Sequence, residues 1–176
     1  EAESAAVFEE GRALAERSGD RPALALLVGR YGLMRVSVAG SALDYVRYGE
    51  EAALLAQECD DPALRAAVGT FPALAHLVAG DGRAVLDWSA RVLAEVGTDN
   101  VLGREIVGFS PRAAMLSMRS HAPLVLGRLQ EARSQAREAE RVAEESRELE
   151  VLGWARAFWI NLAYACGGTE SVLEHG

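Results

Sequence analysis

The strongest constraint in this chain is a recurrence at about forty residues. Asp20-Arg-Pro-Ala-Leu and Asp60-Asp-Pro-Ala-Leu begin alike, and Pro22 and Pro62 stand 40 positions apart. A second register runs through Leu43-Asp44, Leu86-Asp87, Glu131 and Leu173-Glu174. Its acids are 43, 44 and 43 positions apart, and each follows a glycine: Gly40, Gly82, Gly127 or Gly168. A period of that length marks stacked supersecondary units, none of which buries its apolar face alone.

Each unit reads as two helices. Pro22 suits a first helical turn, where a missing N–H costs nothing. Leu24, Leu27, Val28, Tyr31, Met34 and Val38 follow at helical spacing, and Gly40 ends the run. Ser41 then caps a second helix carrying Leu43, Val46, Ala53, Leu54 and Ala56. Asp61-Pro62 opens the next unit, in which Pro72 is expected to bend or interrupt the helix, and its partner runs from about Arg83 to Val96. Ser110-Pro111 opens a third unit, whose second helix spans 128–147 with one narrow stripe of alanines and valine. The intervening stretch 100–109 breaks the period and reads as a short helix and a turn. The helix over 149–166 is apolar on nearly all sides, which predicts a place between two layers, one of them expected from a next repeat that this chain lacks. No segment alternates as a strand does.

The predicted fold is therefore all-α, a single domain over residues 1–176 built as a right-handed superhelical array of about four helical hairpins. A chain that lacks an initiator Met and is already helical in pattern at Ala5 reads as a piece of a longer protein.

The Gly-x-Leu-Asp/Glu starts, the small residues Ala52, Ala53, Ala132 and Ala139, and the paired-helix period together resemble tetratricopeptide-like repeats, with a unit longer than the usual 34 residues and without the strict repeat signature. The resemblance is to the helical arrays of large bacterial signalling regulators. Gly103-Arg-Glu-Ile-Val-Gly-Phe-Ser-Pro111, Val151-Leu-Gly-Trp-Ala-Arg-Ala-Phe158 and Leu162-Ala-Tyr-Ala-Cys-Gly-Gly168 resemble the cyclase-linked type. The resemblance implies a non-catalytic interaction and sensing module, cytoplasmic, joined in the parent chain to an ATPase and an adenylate or guanylate cyclase domain. The alternative is the regulatory array of an ATP-dependent, DNA-binding transcriptional regulator.

Catalytic signatures are missing. All eighteen basic residues are arginine, which removes P-loop and Schiff-base lysines. His76, His121 and His175 form no metal-binding pair, Cys59 and Cys166 stand far apart, and there is no nucleophile elbow. No enzyme activity, metal or cofactor is expected. A net charge of −8 argues against nucleic acid as a direct partner. The longest apolar run, 157–166 interrupted by Asn161, is too short for a membrane span.

One asymmetry suggests a binding surface. The first helices hold Arg21, Arg30, Arg35, Arg65, Arg112, Arg119 and Arg156 against a single acid, Glu150, whereas the second helices are acidic. In tetratricopeptide-like arrays the first helices line the concave side. Arg30, Arg35, Arg65, Arg112, Arg119 and Arg156 are thus candidates for a basic groove that takes an acidic peptide or protein face. The alternative is that their stems lie on apolar surface and their heads pair with second-helix acids. Trp159, Ile160, Leu162 and Tyr164 form a candidate interface, either for a homodimer or for other domains of the parent chain. Trp154 and Phe158, four residues apart, read as packing between layers.

Overall fold

The computed structural model describes residues 2–165, and every element among them is an α-helix. Helix α1 (Ala2–Ser18) leads into α2 (Arg21–Ala39) and α3 (Ala42–Gln57), then α4 (Pro62–Val68), α5 (Thr70–Ala79) and α6 (Gly82–Val96). A single turn, α7 (Arg104–Val107), precedes α8 (Pro111–Val125), α9 (Leu129–Glu145) and α10 (Leu149–Ala165).

The expected starts are where the sequence puts them. Asp20, Ser41, Asp61 and Ser110 each accept the N–H three residues on, satisfying a donor that has no partner inside its helix. Asp81 caps α6 in the same way. Pro22, Pro62 and Pro111 sit in first turns. The interruption expected near Pro72 falls at Gly69, where α4 gives way to α5. Pro72 lacks the N–H that a continuous helix would need, and the helix restarts just ahead of it. A Cβ on Gly69 would stand 2.5 Å from Val92 of α6, so this joint is also a point of close approach.

The packing is sequential. Helix α2 lies on α3, α3 on α5, α5 on α6, α6 on α8, α8 on α9 and α9 on α10. The first helices of successive units also touch: α2 meets α4 and α5, α5 meets α8, and α8 meets α10. Three hairpins are complete among the described residues: α2–α3, the broken α4/α5 with α6, and α8–α9. Gly168, Leu173-Glu174, Cys166 and His175 lie outside them.

Small residues permit these approaches. Ala132, Ala136, Ala139 and Ala143 of α9 are fully buried. A Cβ on Gly49 would come within 3.0 Å of the Pro72 backbone, so α3 and α5 pack nearly main chain to main chain. At the other end Phe8 stacks on Tyr31, with ring centroids 3.8 Å apart, and Tyr48 meets both edge-on, fastening α1 to the first hairpin.

Helix α10 buries Val151, Ala155, Phe158, Leu162 and Ala163 and leaves Leu149 and Tyr164 open to solvent, in keeping with a helix expected to have only one of its two neighbours in this chain. One expectation needs correction: the run over 157–166 is not the most membrane-like segment. Helix α2, 19 residues with a mean hydropathy of 1.2 over its most apolar window, meets the length and composition of a span, although Arg30 and Arg35 lie within it. It packs here against α1 and α3.

Candidate functional site

Five of the six candidate arginines have partners within the molecule. Arg35 pairs with Asp44 of α3 at 2.8 Å, Arg65 with Glu95 of α6 at 2.6 Å, and Arg156 with Glu140 of α9 at 3.4 Å. Arg112 donates to the Gly97 carbonyl and to Asn100 Oδ1 beyond the end of α6. Helical geometry puts Arg119, seven residues on, along the same side of α8. Arg30 donates to the Ile106 carbonyl of α7 at 3.1 Å. The first-helix cations are therefore largely engaged inside the molecule, mostly by second-helix acids and carbonyls. That is the pairing weighed above as the alternative to a basic groove.

Of the candidate interface residues, Tyr164 is 88 % exposed and Ile160 36 %, while Trp159 is half-buried with its Nε1 3.3 Å from Glu140. Leu162 does not belong with them: at 4 % exposure it packs with Phe158, Ala132 and Ala136. Counted from Val151, it continues the face 151–155–158–162 that α10 turns inward.

What the first helices do share is an apolar cavity of about 330 Å³ between α5, α8 and α10. Leu74 and Leu77 line it from α5, Ser117, Met118 and His121 from α8, and Trp154 and Ala157 from α10. No side chain with a fixed charge is among them.

His121 is the informative member. Its Nδ1 lies 3.0 Å from the Ser117 carbonyl, an oxygen that only accepts, so Nδ1 carries the proton. Phe158 meets the ring edge-on at 5.1 Å. Burial holds the imidazole below the ordinary histidine value of 6.5, against the opposing pull of the Ser117 carbonyl. The neutral ring then offers Nε2 as an acceptor. Among the described residues Nε2 has no hydrogen-bond partner, and His121 lines the cavity.

The depressed value fixes a pH dependence. Unfolding returns His121 to its ordinary range, so below about pH 6.5 the unfolded chain binds the extra proton and the folded chain resists it. The stabilising contribution is complete above 6.5 and is lost as pH falls toward the lower native value. Melting temperature should therefore decline between about pH 7 and pH 5, and His121→Phe should flatten that part of the curve. Asp44 and Glu138 are held below the carboxylate range by hydrogen bonds from Arg35 and Arg141, so their losses come at still lower pH. Parallel curves for the two proteins would contradict the assignment.

Beside the cavity lies the segment that broke the period. Residues 97–110 bridge the first helices. Arg30 of α2 holds the Ile106 carbonyl, and Ile106 and Val107 pack on the first core cluster. Gly103 presses on the backbone of α4. Leu102 and Phe109 reach the second cluster, and the Phe109 ring stands edge-on to Trp154 at 5.1 Å. Glu148, at the start of α10, accepts the Ser110 N–H at 2.7 Å and lies 3.2 Å from Arg104 Nε, its side chain only 5 % exposed. Trp154 thus belongs to both the cavity wall and the bridge.

Sequence reasoning missed His121 and Glu148. The Ser117-x-x-x-His121 spacing places both on one helical face, but only contact with α5 and α10 makes that face a cavity wall. Glu148 falls between the helix read over 128–147 and the one read over 149–166, and neither pattern marks it. Among the described residues no three of His, Cys, Asp and Glu come together as a metal site. Comparison with known protein families and with curated protein sequences finds none that matches this chain.

Proposed function

We propose that this chain is a non-catalytic binding and coupling module of the tetratricopeptide-like kind, its hairpins wound as a right-handed superhelical array, with the cavity between α5, α8 and α10 as its binding site. Contact between successive first helices, alongside the sequential hairpin packing, supports the array. The cavity carries the functional reading. Its volume lies at the lower end of small-ligand sites, its walls are apolar with few polar groups, and it forms where three units meet.

An occupant touching Trp154 pushes on a ring that also holds Phe109. The bridge carries that push to α2 through Arg30 and to the start of α10 through Glu148. Binding in one place then biases how the units sit against one another. In a bacterial cytoplasmic regulator this is the part played by an array between an ATPase and a cyclase domain, and equally by one that governs a DNA-binding output. Partner proteins and other domains of the parent chain would sense the shift.

The test is a fragment screen by protein-observed NMR on the chain and on Ala157→Trp, which fills the cavity. Hits should move the signals of Trp154 and Met118 and should disappear in the filled variant while its melting temperature stays within a few degrees. Hits that cluster elsewhere, or that survive the filling, would remove the cavity from the proposal.

A further inference from the structure

The walls of the cavity decide what kind of molecule it accepts. Leu74, Leu77, Met118, Trp154 and Ala157 supply hydrocarbon, thioether and indole, and His121 is the one lining residue whose ordinary titration lies near neutrality. An ion entering from water would be desolvated with no opposite charge among the lining residues. A neutral apolar molecule loses little on entry and gains dispersion contacts from three helices. An apolar cavity of about 150 Å³ takes benzene. At about 330 Å³ this one has room for a second fused ring.

His121 makes occupancy depend on pH. Its Nδ1 faces the Ser117 carbonyl at 3.0 Å, the Phe158 ring meets it edge-on at 5.1 Å, and among the described residues Nε2 has no hydrogen-bond partner. Helices α5, α6, α9 and α10 all pack on α8, yet none of the described residues forms an ion pair with the ring. His76 of α5 turns to Glu50 of α3 at 3.0 Å, Arg91 of α6 lies over the Trp88 ring, and Arg156 of α10 reaches Glu140 of α9 at 3.4 Å. Apart from the Ser117 carbonyl, the charge of a protonated ring is therefore compensated by solvent alone. Burial already favours the neutral form. An apolar occupant displaces solvent from a wall that His121 helps to form. That deepens the burial of the imidazole, which penalises the charged ring far more than the neutral one.

We infer that the cavity between α5, α8 and α10 takes a small, neutral, apolar molecule and releases it on acidification, because an occupant and a proton on His121 oppose one another. This rests on the cavity being the binding site and adds the chemistry of the ligand and the control of its release.

Naphthalene, 2-naphthoate and 2-naphthylmethylammonium share one ring system and differ in charge. Each is titrated into the chain at pH 7.5 and at pH 5, well below the melting temperature at both, and followed by NMR shifts of the Trp154 indole and the Met118 methyl. Naphthalene should move both signals, and its affinity should fall about two- to fourfold at pH 5. The two ions should not bind there. Coupling is reciprocal, so saturating naphthalene should move the titration of the His121 ring protons to lower pH, a measurement that needs no variant. In His121→Phe, naphthalene should still bind and the difference between the two pH values should vanish. Binding of either ion as tightly as naphthalene, equal affinity at the two pH values, or a His121 titration that ignores the ligand would overturn the inference and leave the cavity as a site. Failure of naphthalene to move Trp154 and Met118 at pH 7.5 would overturn both.

Discussion

Replacing Phe158 with alanine is expected to lower the unfolding free energy by about 3–5 kcal/mol. The ring is fully buried in the packing between α9 and α10, against Ala132, Ala136 and Leu162. Its edges meet His121 at 5.1 Å and Trp159 at 5.6 Å. Ala132 and Ala136 have no rotamers with which to fill the space left behind. The cost should therefore lie toward the upper part of the range for large-to-small changes. Urea unfolding gives the number, with the slope expected to stay unchanged. Phe158→Leu, which keeps most of the volume, should cost far less, and a loss below 1 kcal/mol for the alanine variant would show that the gap closes by itself.

The second large effect concerns Gly103, where the bridge meets α4. Its φ is +78°, and a Cβ would stand 2.7 Å from the Ala63 carbonyl oxygen and 3.2 Å from the Ala67 nitrogen. Both are main-chain atoms of a helix and cannot swing away. Gly103→Val thus combines a left-handed backbone penalty of about 1–2 kcal/mol with overpacking of about 1–3 kcal/mol. Gly108 is the control: its φ is +92°, with nothing within 4 Å of a built Cβ. Gly108→Val should show the backbone penalty alone. Matched denaturation curves measure the difference, and hydrogen exchange across 104–107 should rise in the Gly103 variant only. Equal losses at the two positions would mean that the bridge is not seated on α4 as described.

What was legible in the sequence follows from how local each signal is. Asp20, Ser41, Asp61 and Ser110 cap their own helices, so a few residues of sequence contain the whole interaction. The stripe on α9 is equally self-contained, because a helix with one apolar face must turn it inward. The arginines were harder. Their clustering on first helices was visible, but Arg65 finds Glu95 thirty residues away and Arg35 finds Asp44 on the next helix. Charge counted helix by helix gives no hint of such pairs. The cavity was hidden because its walls come from three units.

The bridge has a consequence for how the molecule comes apart. Arrays in which each unit meets only the next unfold as a row of dominoes, with energies that add along the row and ends that fray independently. Here Arg30, Ala63, Pro111 and Glu148, drawn from four successive units, all touch the one segment 97–110. Long-range ties of this kind replace stepwise melting with a single all-or-none transition. Helices tied together in this way give up the freedom to lose a terminal hairpin on its own.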